Sequence, residues 1–155
     1  MGKFATAITC VDGRVQLPVT TYIKHAQGVD YVDMITAPGV NKLIAEGIYL
    51  TTTELLKKSA EISVEKHGSR FVAIAGHHDC TANPSDKDTN LKQLLAAVRI
   101  VDSWALNARV IGLWIDEQWK VSEVKDKTRN PPRTSSFTGD ALIEPWLTKR
   151  EATDA

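Results

Sequence analysis

Three short and continuously apolar runs constrain the fold of this chain more than any other feature of its sequence. They span six to eight residues each and show no alternation of apolar and polar side chains. Strands that are buried on both faces of a sheet have this character, which is typical of parallel sheets covered by helices. The predicted strands are Phe4–Thr9, 70–75 and 108–115.

Segments with the apolar periodicity of amphipathic helices connect these strands. Thr51 and Glu54 have the spacing of a capping box, and His67-Gly68 supplies a C-terminal stop for the helix that they begin. Helices that alternate with strands predict a mostly parallel α/β sheet. The other predicted helices are 18–26, which precedes Gly28, and 91–105, with a cap at Asp86, Asp88 or Thr89.

Two weaker patterns predict strands at the edges of the sheet. Residues 29–36 are more polar than the three apolar runs, and Pro38-Gly39 marks their end. Residues 119–124 alternate between apolar and polar side chains, which predicts a final strand reached by a tight turn. We therefore predict an α/β fold in which a mostly parallel sheet of order 2-1-3-4, plus an antiparallel edge strand, is flanked by helices.

The chain changes character after residue 124. Residues 125–140 are rich in Lys, Arg, Pro, Ser and Thr, a composition that cannot form a core element. In a chain of 155 residues this leaves room for one domain. We predict an α/β domain over 1–124 and a linker-like tail over 125–155, in which the apolar patch 141–146 is a candidate docking arm on its own domain or on a second subunit.

Balanced charge limits the class of partner. Nineteen basic residues stand against nineteen acidic ones, so no summed field draws the protein to nucleic acid or to an anionic membrane. No run approaches the roughly 20 apolar residues of a membrane span, and the N-terminus lacks the apolar core of a secretory signal. These features predict a small-molecule partner and a cytoplasmic location.

Side chains that can bind a metal follow two of the buried strands. Cys10 comes directly after the first strand, and His77 and Cys80 follow the strand that ends at Ala75. Strands one and three are neighbours in the predicted order, so their carboxyl ends can bring the three side chains together. Two thiolates and an imidazole suit zinc and leave a fourth position for water or substrate. The alternative is two buried thiols and a packed histidine.

The residues around these three side chains resemble a known family. Residues 10–14 read Cys-x-Asp-x-Arg after the first strand, and residues 77–80 read His-x-x-Cys after a later one. Together they are similar to the two signatures of the β-class carbonic anhydrases, and the similarity extends over about 6–124. The resemblance implies that Cys10, His77 and Cys80 are zinc ligands.

The resemblance also implies an activity and an assembly. A zinc-bound hydroxide would hydrate carbon dioxide to bicarbonate, with Asp12 as a gate and hydrogen-bond acceptor held by Arg14. In some relatives this Asp takes the fourth zinc position when the enzyme is closed. The family implies a homodimer or a higher homo-oligomer. Hydrolysis of carbonyl sulfide or carbon disulfide, and a non-catalytic zinc protein, remain alternatives, whereas a thiol redox role is disfavoured because Cys-x-x-Cys spacing is absent.

Two segments depart from the family pattern. Many relatives have Arg-Asn-Ala-Gly after the second strand, where this chain has Thr-Ala-Pro-Gly at 36–39, and many have Gly after the last ligand, where this chain has Thr81. We therefore expect the pocket wall or the subunit contact built there to differ from that of those relatives. Next to the ligands, we expect His78 to line the pocket or relay protons. We expect Asp79 to have a structural role at its turn, with a hydrogen bond to one of the ligands as the alternative.

Overall fold

The computed structural model describes residues 2–128, which form five strands and four helices. The predicted apolar patch 141–146 and the tail from residue 129 onward lie outside the described residues. Within those residues no helix is both long and apolar enough to cross a membrane. The elements are, in chain order, β1 (Phe4–Thr9), α1 (Gly13–Gln27), β2 (Tyr31–Thr36), α2 (Val40–Glu46), α3 (Leu50–Lys66), β3 (Phe71–His77), α4 (Lys87–Ser103), β4 (Arg109–Ile115) and β5 (Val121–Val124).

The strands form one sheet of order β2-β1-β3-β4-β5. The first four are parallel, and β5 pairs antiparallel with β4. The predicted order, the antiparallel edge strand and the edge position of β2 are thereby confirmed. Strands β1 and β3 lie side by side, with Ala7 opposite Ala73 and Ile8 opposite Ile74, so their carboxyl ends meet at one edge of the sheet.

Helices cover both faces of the sheet, which is why the central strands are apolar throughout. Ala7 and Ala73 face α1, where Val19 and Ile23 pack on them in one buried cluster. Ile8 and Ile74 face the opposite side, in a second cluster with apolar residues of α2, α3 and α4. The successive residues of each central strand therefore contribute alternately to two cores.

Helix α1 begins five residues earlier than predicted. The Asp12 carboxylate accepts a hydrogen bond from the Arg14 N–H, so Asp12 is the N-cap and the helix starts at Gly13. Pro18 consequently lies inside the helix, where it cannot donate to the Arg14 carbonyl. The cap at Asp12 places Arg14 in the first turn of the helix, four residues after Cys10.

Helix α3 does not use the predicted capping box. It starts at Leu50, and its N-cap residue, Tyr49, makes no side-chain capping bond within the described chain. Thr51 and Glu54 therefore lie inside the helix, because the chain enters it two residues earlier than the local pattern indicates. The cap of α4 is Asp86, one of the three predicted candidates, whose carboxylate accepts from the Thr89 N–H.

Helix α2 was not predicted. It has only seven residues and lies between Gly39 and Gly47, both in the left-handed conformation. A helix this short gains little from local propensity. Val40 and Ile44 are fully buried on its inner side and join the cluster beneath α3 and α4, so tertiary packing stabilises it.

Candidate metal centre

The three predicted ligands converge at the carboxyl ends of β1 and β3. Cys10 follows the last residue of β1, His77 is the last residue of β3, and Cys80 comes three residues later. One ligand atom from each lies within 4.8 Å of the others, and all three side chains are buried. The pairing of the two strands is what brings the two sequence motifs together.

The distance between the two sulfurs fits a tetrahedral zinc ion. The Sγ atoms of Cys10 and Cys80 lie 3.8 Å apart. Two sulfurs bound to one tetrahedral zinc at about 2.3 Å are separated by about 3.8 Å. The donors are thus arranged as they would be around the ion.

His77 presents an orphaned nitrogen to the cluster. Its Nδ1 donates to the His78 carbonyl at 2.7 Å, which fixes the ring and leaves the lone pair on Nε2. Nε2 is buried and has no hydrogen-bond partner in the described part of the chain. Buried polar atoms are rarely left unpaired, and a metal ion would satisfy this one. The residues therefore fit the zinc ion that their donor types indicate.

The contact between the two thiols shifts their pKa values in opposite directions. The hydrogen bond with Cys80 lowers the pKa of Cys10 against the effect of burial, and His77 and the Gly39 N–H act in the same direction. The same contact with Cys10, together with burial, raises the pKa of Cys80. Burial alone would lower the pKa of His77, but Cys10, the His78 carbonyl and the charge of Asp12 together raise that pKa. Metal binding, which needs two thiolates, must therefore release protons.

Asp12 and Arg14 form an ion pair beside the cluster. Arg14 Nη2 and Nε donate to Asp12 at 2.7 and 3.0 Å, a bidentate arrangement. Hydrogen bonds from Arg14 lower the pKa of Asp12 to about 2. Asp12 is therefore a carboxylate throughout the neutral range and needs no further partner to remain ionised.

The segment that departs from the family pattern contacts both ligand loops. The Gly39 N–H points at Cys10 Sγ at 3.4 Å. Gly39 has φ 54°, and a Cβ there would lie 3.0 Å from the Ala82 carbonyl oxygen, two residues after Cys80. The departure at 36–39 predicted an altered wall here, but it did not predict these contacts of Gly39, because Pro38-Gly39 by itself marks the end of a strand.

A network of buried amides supports the loop after Cys80. Asn83 Nδ2 donates to Asn90 Oδ1 and to Gln93 Oε1, both at 2.7 Å. Asn41 Nδ2 donates to the same Asn90 oxygen at 3.2 Å, and Asn90 Nδ2 donates to the Ser85 carbonyl at 2.9 Å. Asn41, Asn83 and Asn90 are each at most 3% exposed. The network links α2, α4 and the loop, and no local sequence pattern indicated it.

The residues between the ligands have backbone roles. The His78 N–H donates to the Ile115 carbonyl at 2.8 Å, and its own carbonyl holds His77. The His78 side chain is exposed, and its role as a pocket or proton-relay residue stays a prediction. Asp79 has φ 54°, and its side chain contacts Arg14. Asp79 therefore contacts the residue that pairs with Asp12, and its structural role at the turn stays a prediction.

Comparison with solved structures relates the fold to carbonic anhydrases. β-Carbonic anhydrase isoform I from Trichomonas vaginalis is 20% identical with a TM-score of 0.52, over 78% of this chain and 82% of that chain. A carbonic anhydrase from Glaciozyma antarctica is 17% identical with a TM-score of 0.53, over 77% and 81%. One of two tetrameric β-carbonic anhydrases from Sordaria macrospora is 12% identical with a TM-score of 0.51, over 80% and 81%.

Comparison of the sequence places the chain in a family. A search of curated protein sequences finds no match. The model of the family described as putative carbonic anhydrase matches residues 1–125, which include both motifs of the candidate metal centre. The chain therefore belongs to the putative carbonic anhydrase family.

Proposed function

We propose that this protein is a zinc enzyme that reversibly hydrates carbon dioxide to bicarbonate. The observation that carries the proposal is the buried cluster of Cys10, His77 and Cys80, whose unpaired Nε2 and 3.8 Å sulfur separation suit a tetrahedral ion. Three protein donors leave a fourth position, which distinguishes catalytic from structural zinc sites. Family membership supports the same reaction class.

The protein would hold the ion through Cys10 Sγ, His77 Nε2 and Cys80 Sγ. When bound there, zinc supplies Lewis-acid chemistry that lowers the pKa of water from about 16 towards 7. The His78 carbonyl orients the His77 ring by accepting from Nδ1, the nitrogen that does not face the cluster, as partners of ligating histidines commonly do. The Gly39 N–H stabilises negative charge on Cys10 without competing for the ion.

Asp12 and Arg14 orient the attacking water. Asp12 is an acceptor only, so it takes a hydrogen bond from the nucleophile and directs the free lone pair at the carbon of carbon dioxide. Water adds its oxygen to that carbon, bicarbonate leaves, and one proton passes to solvent. Arg14 keeps Asp12 ionised and restrains it from occupying the water position.

A homodimer or a higher homo-oligomer is part of the proposal. Large apolar side chains are exposed in and just before α3, and each is about half exposed or more. A second copy would remove this surface from water. The related Sordaria macrospora enzymes are described as tetrameric, which supports assembly. The exposed residues are Ile48, Tyr49, Leu50, Leu55 and Ile62.

Stopped-flow hydration of carbon dioxide by the zinc-loaded chain tests the function. We expect a rate well above buffer that disappears on chelation and returns with zinc. A Cys80→Ser variant, assayed at the same concentration, serves as the matched metal-free control. Bound zinc without any hydration rate would contradict the proposal and direct the assay to carbonyl sulfide.

A further inference from the structure

Arg14 is held by residues outside its own motif. Its Nη1 donates to Asp79 Oδ2 at 3.1 Å, and its Nη2 donates to the Asp79 carbonyl at 3.2 Å. The guanidinium carbon lies 4.6 Å from the centre of the Trp119 ring. The guanidinium thus contacts Asp12 through Nε and Nη2, Asp79 through Nη1 and Nη2, and Trp119 through its face.

These contacts connect three separate parts of the chain. Arg14 follows Cys10, Asp79 immediately precedes Cys80, and Trp119 lies in the turn between β4 and β5. The guanidinium therefore bridges the two loops that carry the metal ligands. Because the Arg14 side chain is 46% exposed, its ion pair with Asp12 alone would leave it freedom to rotate.

Asp79 and Trp119, the two residues that contact Arg14 from outside its motif, have left-handed backbone conformations. Asp79 has φ 54° and Trp119 has φ 59°, although neither is glycine. Such conformations persist where the surrounding structure imposes them, and they cluster at functional sites. The two residues that enclose Arg14 thus both adopt a conformation that glycine would adopt more easily.

We propose that Asp79 and Trp119 are positioning residues that fix the Arg14 guanidinium and, through it, hold the Asp12 carboxylate off the metal. This inference rests on the proposed function and deepens it. Asp79 anchors the end of the guanidinium opposite Asp12, and the Trp119 ring covers its face. When one of these two contacts is lost, Arg14 and Asp12 move together. Asp12 then takes the position that water or an anion would occupy.

Binding of an anion to the Co2+-loaded full-length protein tests this arrangement without relying on catalysis. Thiocyanate competes for the open position, and the visible Co2+ spectrum reports its binding. We expect Asp79→Gly and Trp119→Leu each to weaken thiocyanate binding about tenfold. Mutation of residues that support metal ligands typically costs about 10- to 100-fold in affinity or activity, and this is the lower end of that range. Asp79→Asn, which retains an acceptor, should have a smaller effect. Glu117→Gln, an exposed change in the Trp119 turn, is the control.

A second change separates positioning from a general structural effect. Adding Asp12→Asn to Asp79→Gly should restore thiocyanate affinity, because the competing carboxylate is gone. The melting temperature of Asp79→Gly should not fall, since glycine relieves the left-handed strain. Unchanged thiocyanate affinity in both single variants, or no recovery in the double variant, would overturn this inference alone. Failure of the unaltered protein to bind Co2+ would overturn the proposed function as well.

Discussion

The Sγ atoms of Cys10 and Cys80 lie 3.8 Å apart, although 70 residues separate them in the chain. Adjacent parallel strands determine the position of each cysteine, and the loop after Cys80 is held by buried amides. Sites built on such elements keep their geometry better than sites on loops alone. We therefore expect the metal-free protein to retain the fold around the cluster.

His77 and its neighbour His78 offer a matched test of the ligand set. We expect His77→Ala to lose nearly all zinc, because its Nε2 is the nitrogen that faces the two thiols. His78→Ala should retain about one zinc per chain, since its contacts with Ile115 and His77 use the backbone. Elemental analysis of both purified variants gives the answer. Equal zinc content in the two proteins would show that His77 is not a ligand.

Arg14→Ala should separate metal binding from activity. The three ligands remain, so zinc content should not change, whereas loss of the bidentate contact with Asp12 should reduce carbon dioxide hydration about 10- to 100-fold. Arg14→Lys should not restore the rate, because an ammonium cannot reproduce the guanidinium fork. Arg109→Ala, which removes an exposed arginine from the opposite end of the sheet, is the control. A fully active, zinc-loaded Arg14→Ala protein would contradict the role of the pair.

Gly39→Ala should destabilise the protein more than Gly28→Ala. Both glycines have positive φ, which costs an alanine about 1–2 kcal/mol in the free energy of unfolding. Only at Gly39 would the new Cβ also meet a backbone carbonyl, that of Ala82, whereas a Cβ at Gly28 would lie within 4 Å of no other described residue beyond its chain neighbours. Urea unfolding measures both losses. Equal losses would mean that the close approach of these two loops is unimportant.

Asp126→Asn should reveal a stability contribution that depends on pH. The Thr128 side chain and the Arg99 guanidinium lower the pKa of Asp126 from 3.8 to about 2. A carboxyl group with a depressed pKa stabilises the folded state above its unfolded pKa and loses that effect as pH falls towards the folded value.

The melting temperature of Asp126→Asn should therefore be below that of the unaltered chain at pH 6. The difference should narrow between about pH 4 and pH 2. Glu117→Gln, which removes one exposed acidic charge elsewhere, controls for net charge. A difference that stays constant over the whole pH range would contradict the assignment of the pKa shift.

Much of the fold could be predicted because the sheet is buried on both faces. Continuous apolar runs identified β1, β3 and β4, although β3 extends to His77, two residues beyond its predicted end. The predicted ends of helices were less accurate where a single capping side chain decides where the helix begins. Asp12 starts α1 well before Pro18, and no local pattern revealed the seven residues of α2.

The sequence by itself determined which side chains could bind a metal, because Cys10, His77 and Cys80 lie at or within three residues of the ends of strands whose apolar character predicts their place in a parallel sheet. Tertiary structure alone decided what surrounds them. Gly39, the Asn83–Asn90 contact and the enclosure of Arg14 by Asp79 and Trp119 join segments that are distant in the chain or have only turn-like local sequence. Such contacts depend on the packing of complete elements, so no periodicity or local propensity encodes them.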